Sequence, residues 1–243
     1  MKSPPKPLPN PTEKTTMLDY SFDRNYSENH GIICGTDEAG RGPLCGPVTA
    51  AAVVLPRDFI LEGLDDSKKL TDKKREKLYD VIIENALAYG IAESTPAEID
   101  ELNILSSSLL AMRRAVKIAE EMLVMRTGET IGAVLIDGNR QTDFGIPSFT
   151  VVHGDAVSQS IAAASVLAKV TRDREMTEIA KYDPGFGIEI HKGYPTPAHK
   201  LAVYEAHIHG TPLPDIYRRS FLKFLERDRE KLDAALAKKK ENG

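Results

Sequence analysis

Four carboxylates in this 243-residue chain stand where acids are costly unless they do something: Asp37 and Glu38 at the end of one apolar segment, Asp137 closing VLID, and Asp155 opening a long helical stretch. In an α/β sheet, strand ends and helix starts border the crevice where ligands bind, so three separate segments can deliver these groups to one place. Taken singly, Asp137 or Asp155 reads as a turn-former, and Asp155 as a helix cap. The Asp37-Glu38 pair resists that reading because it sets two like charges side by side. Adjacent strand residues point to opposite faces, so for both acids to serve one site the strand must end there, and Ala39-Gly40 supplies a chain able to bend. Three or four carboxylates with no matching lysine repel one another unless a hard divalent cation is shared. Oxygen-only ligation indicates Mg²⁺ or Mn²⁺ rather than zinc. Two such ions about 4 Å apart form the clamp that activates a water and stabilises the leaving oxygen in phosphodiester hydrolysis.

Three competing motifs fail on their residues. GTDEAGRG, residues 35–42, has the outline of a phosphate-binding loop, but Arg41 and Gly42 stand where Lys and Ser/Thr are required, and two acids sit inside the cradle. His191, His199, His207 and His209 cluster in sequence without an HExxH or a nearby cysteine pair, which leaves a zinc site without its signature. No GxSxG nucleophile elbow exists.

The elements that must position the acids follow from patterning. Ile32 to Thr36 and Val48 to Leu55 are apolar and β-branched, and the Gly- and Pro-rich stretch between them makes two strands joined by a turn-rich loop. Residues 72–86 carry helical spacing behind Thr71 as N-cap. Tyr89 to Glu93 is a short strand, Pro96 to Arg126 one long helix, and Ala133 to Ile136 and Phe149 to Val152 two further strands. Asp155 to Lys181 reads as a single helix whose stripe of Ala162, Ala164, Ser165 and Ala168 should press close against a sheet; Ser165 and Lys169 are read as structural. A Gly-rich loop precedes a helix capped by Thr196 with Pro197 at its first position. Ser220 to Lys240 closes the chain as a charged amphipathic helix. Strands that are neighbours early and alternate with helices later specify a mixed α/β domain, antiparallel first and parallel after.

Composition narrows the class. With 41% hydrophobic and 28% charged residues the chain can bury a core, and its apolar runs fall far short of the roughly 20 residues a membrane span needs. Two cysteines cannot make a disulfide framework, so a reducing cytoplasm is expected. Net charge is −4, yet from Tyr217 onward nine Lys/Arg face five Asp/Glu. That basic end reads as a solvated helix or as an arm tracking a polyanion. Residues 1–30, Pro-rich and then polar, read as a disordered lead.

In order and spacing, GTDEAGRGPLCGPV, DDSKKLT, EIDELNIL followed by LLAMRRAV, LIDGN, HGDAVSQSIAAASVLAKVTRDR and GYPTPAH resemble ribonuclease HII, from Gly31 to about Leu225. The resemblance implies a ribonuclease H-like mixed sheet flanked by helices over residues 31–210, with a C-terminal helical, substrate-binding extension over 211–243. It implies endonucleolytic cleavage of RNA in RNA·DNA hybrids and at single ribonucleotides in duplex DNA, leaving 5′-phosphate and 3′-hydroxyl ends. The family's metal ligands fall on Asp37, Glu38, Asp137 and Asp155, for two Mg²⁺ or Mn²⁺ ions. Its ribose- and phosphate-recognising element falls on Gly40, Arg41 and Gly42, its phosphate-proximal lysines on Lys68 and Lys69, and its junction-packing tyrosine on Tyr194. Two positions depart: His153 stands where Lys is common, and Tyr217 where the family often has His. The implied partners are RNA·DNA hybrid and ribonucleotide-containing duplex. A monomer is expected, and nothing in the sequence indicates a replication clamp. The related ribonuclease HIII would bring an N-terminal platform, for which a thirty-residue polar lead is too short. A binding module that had lost its metals would lack one of the four acids, and none is replaced.

Overall fold

The computed structural model describes residues 18, 20–57, 59–64 and 70–241. Helix α1 (Ser21–His30) leads into β1 (Ile33–Ala39) and β2 (Val48–Val54), then α2 (Asp72–Asn85), β3 (Ala88–Ser94), α3 (Pro96–Leu102) and α4 (Ile104–Thr127). The chain continues through β4 (Ala133–Asp137), β5 (Ser148–Val151), α5 (Gln159–Ala180), α6 (Ile188–His191), α7 (Pro197–Ile208), α8 (Phe224–Arg227) and α9 (Arg229–Glu241). The five strands form one sheet in the order β3-β2-β1-β4-β5. β1 pairs antiparallel with β2, as β2 does with β3, while β4 joins β1 and β5 joins β4 in parallel. This is the mixed sheet the patterning specifies.

The sheet is covered on both faces, which is why β2 reads as a continuous apolar run rather than an alternating one. Ala50, Ala52 and Val54 face a core built with Met112, Ala115 and Ala119 of α4, and Ala51 and Val53 face α2 and α5. Small residues set the spacing of the second layer. A Cβ at Gly35 of β1 would lie 2.2 Å from the carbonyl carbon of Ser160, so only glycine lets α5 come this close.

Four features differ from the sequence expectations. Residues 21–30, read as part of a disordered lead, form α1. Its Asp23 is fully buried and accepts the Ser160 N–H at 2.9 Å, while Tyr26 packs its ring, tilted, against Phe22 and Phe149. A helix so polar is held by tertiary contacts rather than by its own periodicity. The long helix expected over Pro96–Arg126 breaks at Asn103, whose φ of 74° ends α3 and whose side chain caps α4 by accepting the N–H groups of Leu105 and Ser106. Asp155 does not open α5; it lies in a 3₁₀ turn, Gly154–Ala156, ahead of Ser158, which is the N-cap. The C-terminal helix is divided into a 3₁₀ turn, α8 and α9, because the N–H groups of Arg219 and Ser220 dock on the Asp100 carboxylate at 2.7 and 2.9 Å and fix the first turn against α3.

The C-terminal segment shares its core with the rest of the chain. Leu44 and Cys45 pack in one cluster with Met176 of α5, Val203 and Tyr204 of α7, and Tyr217, Phe224 and Leu232.

Candidate active site

A cleft of about 360 Å³ opens where β1, β4 and the turn before α5 meet, and Asp37, Glu38, Asp137 and Asp155 all line it. A larger depression of about 590 Å³, lined by residues 141–143 and 146–149, has Asp143 as its one ionisable lining residue and gathers no chemistry.

β1 runs through both of its acids to Ala39, beyond the point where the sequence placed its end. The bend comes at Gly40, whose φ of 94° is open to glycine, and it lets the alternate residues Asp37 and Glu38 border the same space. Asp37 Oδ1 accepts the Glu38 N–H at 2.7 Å, and Ser165, one face of α5 away, donates its hydroxyl to the same carboxylate. Glu38 Oε1 accepts from Arg41 Nη1 at 3.1 Å. Asp137 Oδ1 accepts the Gly154 N–H at 2.8 Å, which ties the end of β4 to the turn carrying Asp155.

The electrostatics are those of crowded acids. Burial first, and then the charges of Glu38 and Asp137, hold the Asp37 carboxyl well above the usual carboxylate range. Burial also raises Glu38, against the opposing pull of Arg41. Among the described residues no three Asp, Glu, His or Cys side chains close on one point at ligand distance. Asp37, Glu38 and Asp137 rest instead on the protein donors just named. The donor set still fits a hard divalent cation: it is all oxygen, Asp37 and Asp155 are buried and Glu38 and Asp137 partly so, and its members repel one another without a shared positive charge.

Gly40, Arg41, Gly42 and Tyr194 border the same cleft. Gly42 has space: a Cβ there would meet nothing closer than Tyr194 Cε1 at 3.7 Å. Tyr194 is 40% exposed and lies beneath Lys169, whose Nζ is 5.6 Å from the ring centroid. Lys68 and Lys69 lie outside the described residues.

Three further residues line the cleft: Arg75 of α2, which the sequence reading did not single out, and Ser165 and Lys169 of α5, which it read as structural. Ser165 and Lys169 are four apart and so share a helix face, and that spacing was the available signal. They are more than packing residues, since one bonds Asp37 and the other stands over Tyr194. Arg75 reaches the cleft from a separate element and left no mark in the sequence. The two departures differ in place. His153 precedes the Asp155 turn with φ 56°. Tyr217 is buried and pairs with His199 Nε2 at 2.8 Å, while His199 Nδ1 bonds the Tyr194 carbonyl at 2.9 Å. Burial pushes His199 down to about 4, so this imidazole is a neutral strut behind Tyr194.

Known proteins match the chain over most of its length. The family model Ribonuclease HII matches residues 34–224. Ribonuclease HII of Shewanella pealeana is 49% identical over 193 residues, covering 79% of this chain and 88% of that protein. Ribonuclease HII of Paraburkholderia xenovorans is 50% identical over 198 residues, covering 81% of this chain and 75% of that one. Among solved structures, ribonuclease H2 of Pyrococcus horikoshii OT3 superimposes with a TM-score of 0.61 at 27% identity, covering 83% of this chain and 99% of the other. With the mixed sheet, the acid-lined cleft and these matches together, the chain belongs to the ribonuclease HII family and is a ribonuclease H, an endonuclease that hydrolyses the RNA strand of RNA·DNA hybrids.

Proposed function

We propose that the cleft is the catalytic centre, that Asp37, Glu38, Asp137 and Asp155 hold two divalent ions, Mg²⁺ or Mn²⁺, and that the enzyme also cuts at single ribonucleotides embedded in duplex DNA. The observation that carries this reading is the meeting of four acids from β1, β4 and the pre-α5 turn with the Gly40–Gly42 loop and Tyr194 in one cleft. Such ions supply activation of the attacking water and neutralisation of charge on the leaving oxygen. The chain's own groups supply position. Ser165 orients Asp37, and the Gly154 N–H orients Asp137. Arg41, half exposed, leaves Glu38 to meet a phosphate as a planar, bidentate donor.

Discrimination of RNA from DNA must come from groups that reach the 2′-oxygen, because the phosphates are alike. Backbone atoms of Arg41 and Gly42 can do so because no side chain fills the space above Gly42. Tyr194 packs against the adjoining deoxyribose. Lys169 and Arg75 extend the cationic border toward the flanking phosphates, a role assigned to Lys68 and Lys69 as well. The enzyme works as a monomer and in a reducing compartment, where Cys34 and Cys45 stay free thiols.

The test is cleavage of an end-labelled duplex containing one ribonucleotide, with Mg²⁺ and with Mn²⁺, beside an all-DNA control. Cutting at the ribonucleotide, with 5′-phosphate and 3′-hydroxyl products and loss of cutting in Asp137→Asn, supports the reading. Near wild-type cleavage by Asp137→Asn overturns the metal assignment.

A further inference from the structure

Two arginines are buried beneath the cleft without a carboxylate among their hydrogen-bond partners. Arg218, fully buried, spends all five of its N–H donors on backbone carbonyls of a single loop. Nε bonds Gly46 O at 2.9 Å, Nη1 bonds Pro43 O at 2.9 Å and Arg41 O at 3.2 Å, and Nη2 bonds Gly40 O at 2.7 Å and Pro47 O at 2.9 Å. Arg172 adds Pro47 O and Cys45 O from the same loop and Lys192 O from the segment that leads to Tyr194. The main chain joins the two partners as well: Arg218 N–H bonds Leu44 O, and Gly46 N–H bonds Ile216 O.

In a trans peptide the C=O of one residue and the N–H of the next point opposite ways, so turning Gly40 O and Arg41 O inward to Arg218 turns the Arg41 and Gly42 N–H groups outward, and successive outward N–H groups form a concavity that binds oxygen. Here the N–H groups of Leu44 and Gly46 are taken by Gly193 O and Ile216 O. Among the described residues neither the Arg41 nor the Gly42 N–H meets a protein acceptor, and both residues are exposed at the cleft. We propose that Arg218 is the positioning residue for ribonucleotide recognition: by gathering the loop's carbonyls it holds the Arg41 and Gly42 N–H groups open toward the substrate sugar. This rests on the reading of Gly40–Gly42 as the ribose-recognising element. Lysine cannot replace Arg218, since an ammonium has three donors for five carbonyls and would leave buried acceptors unpaired.

The test compares affinity for a duplex with one ribonucleotide against the same all-DNA duplex, with Ca²⁺ in place of the catalytic ion. In the wild type the ribonucleotide duplex binds more tightly. Arg218→Lys lowers that preference by at least ~10-fold, as expected where a site built for a hydroxyl loses its alignment, with all-DNA affinity unchanged. Leu232→Ala, a core change in the same cluster but away from the loop, lowers thermal stability and leaves the preference intact. If Gly42→Ala also leaves the preference intact, the loop is not the reader and the functional reading fails. If Gly42→Ala removes it and Arg218→Lys does not, the assignment of Arg218 is overturned; so it is if Leu232→Ala removes it too. Amide exchange on the wild type gives a second measurement should Arg218→Lys not fold. Arg41 and Gly42 exchange fast while Leu44 and Gly46 are protected, and ribonucleotide duplex, unlike all-DNA duplex, slows the first pair. Protection of Arg41 and Gly42 in the free enzyme would refute the proposal.

Discussion

The Gly154 N–H donates to Asp137 Oδ1 at 2.8 Å, so the last residue of β4 sets the turn that carries Asp155. A Cβ at Gly154 would lie 3.1 Å from that oxygen and 2.6 Å from Ile161 Cδ1. Gly154→Ala should therefore part the two acids. We expect divalent-ion affinity to fall by ~10–100-fold, the usual effect of disturbing a ligand's support, as read by isothermal titration with Mn²⁺. Unchanged affinity would separate Asp137 from Asp155 functionally.

Asp37 gives a pH prediction with a definite sign. Its carboxyl is raised by burial and by Glu38 and Asp137, so the contribution to stability is present when the group is protonated and is lost as pH rises through the raised value. Without metal, Asp37→Asn should melt higher than wild type at neutral pH and equal it in acid, by roughly 2–4 °C for each kcal/mol of repulsion removed. Mg²⁺ should raise the wild-type melting temperature more than the variant's. Ser165→Ala removes a bond that lowers Asp37, so the acid limb of the activity profile should move to higher pH. A variant that melts below wild type at pH 7 would contradict the crowding argument.

Gly40 and Gly42 stand two residues apart and should fail differently. At Gly40, with φ 94°, a Cβ would lie 2.0 Å from Arg172 Nε. Gly40→Ala should cost about 1–3 kcal/mol from backbone strain alone, visible in denaturant unfolding. Gly42→Ala meets only open space and Tyr194, so it should unfold within about 0.5 kcal/mol of wild type. Its loss should appear in cleavage at a single ribonucleotide.

Tyr194→Ala tests the exposed ring. Its backbone carbonyl, held by His199, is unaffected by the change, so stability should stay within about 0.5 kcal/mol. Cleavage of an isolated ribonucleotide should fall several-fold more than cleavage of a long hybrid, measured as kcat/KM on the two substrates. Equal losses would assign the ring to loop support.

The four acids, the glycine–arginine–glycine loop and the mixed sheet were legible because each is written in contiguous residues: apolar strands that end in charge, and glycines beside them. Arg218 was not, since a buried arginine that bonds only carbonyls has no sequence partner to betray it. Asp23 was hidden for the same reason, its partner Ser160 lying 137 residues away. Asn103 was masked by apolar spacing that continues across its break. The basic excess after Tyr217 reads differently once Leu232 and Leu236 are seen buried and Asp233 bonded to the Tyr204 hydroxyl at 2.5 Å. α9 is part of the folded core, whatever its outer lysines meet.

The contact at Gly35 reaches beyond packing. Where a strand and a helix touch main chain to main chain, their offset is fixed by atoms that have no rotamers to exchange, so β1 with Asp37 and α5 with Ser165 move as one body. If the enzyme cuts at a lone ribonucleotide as well as in a long hybrid, as proposed above, it cannot then adapt at its acids. Accommodation falls to the groups mounted on the rim, Arg41 and Tyr194, whose side chains are 49% and 40% exposed. Substrate range in this chain should thus drift through substitutions at the rim, while the acid frame tolerates change only where helix and strand shift together.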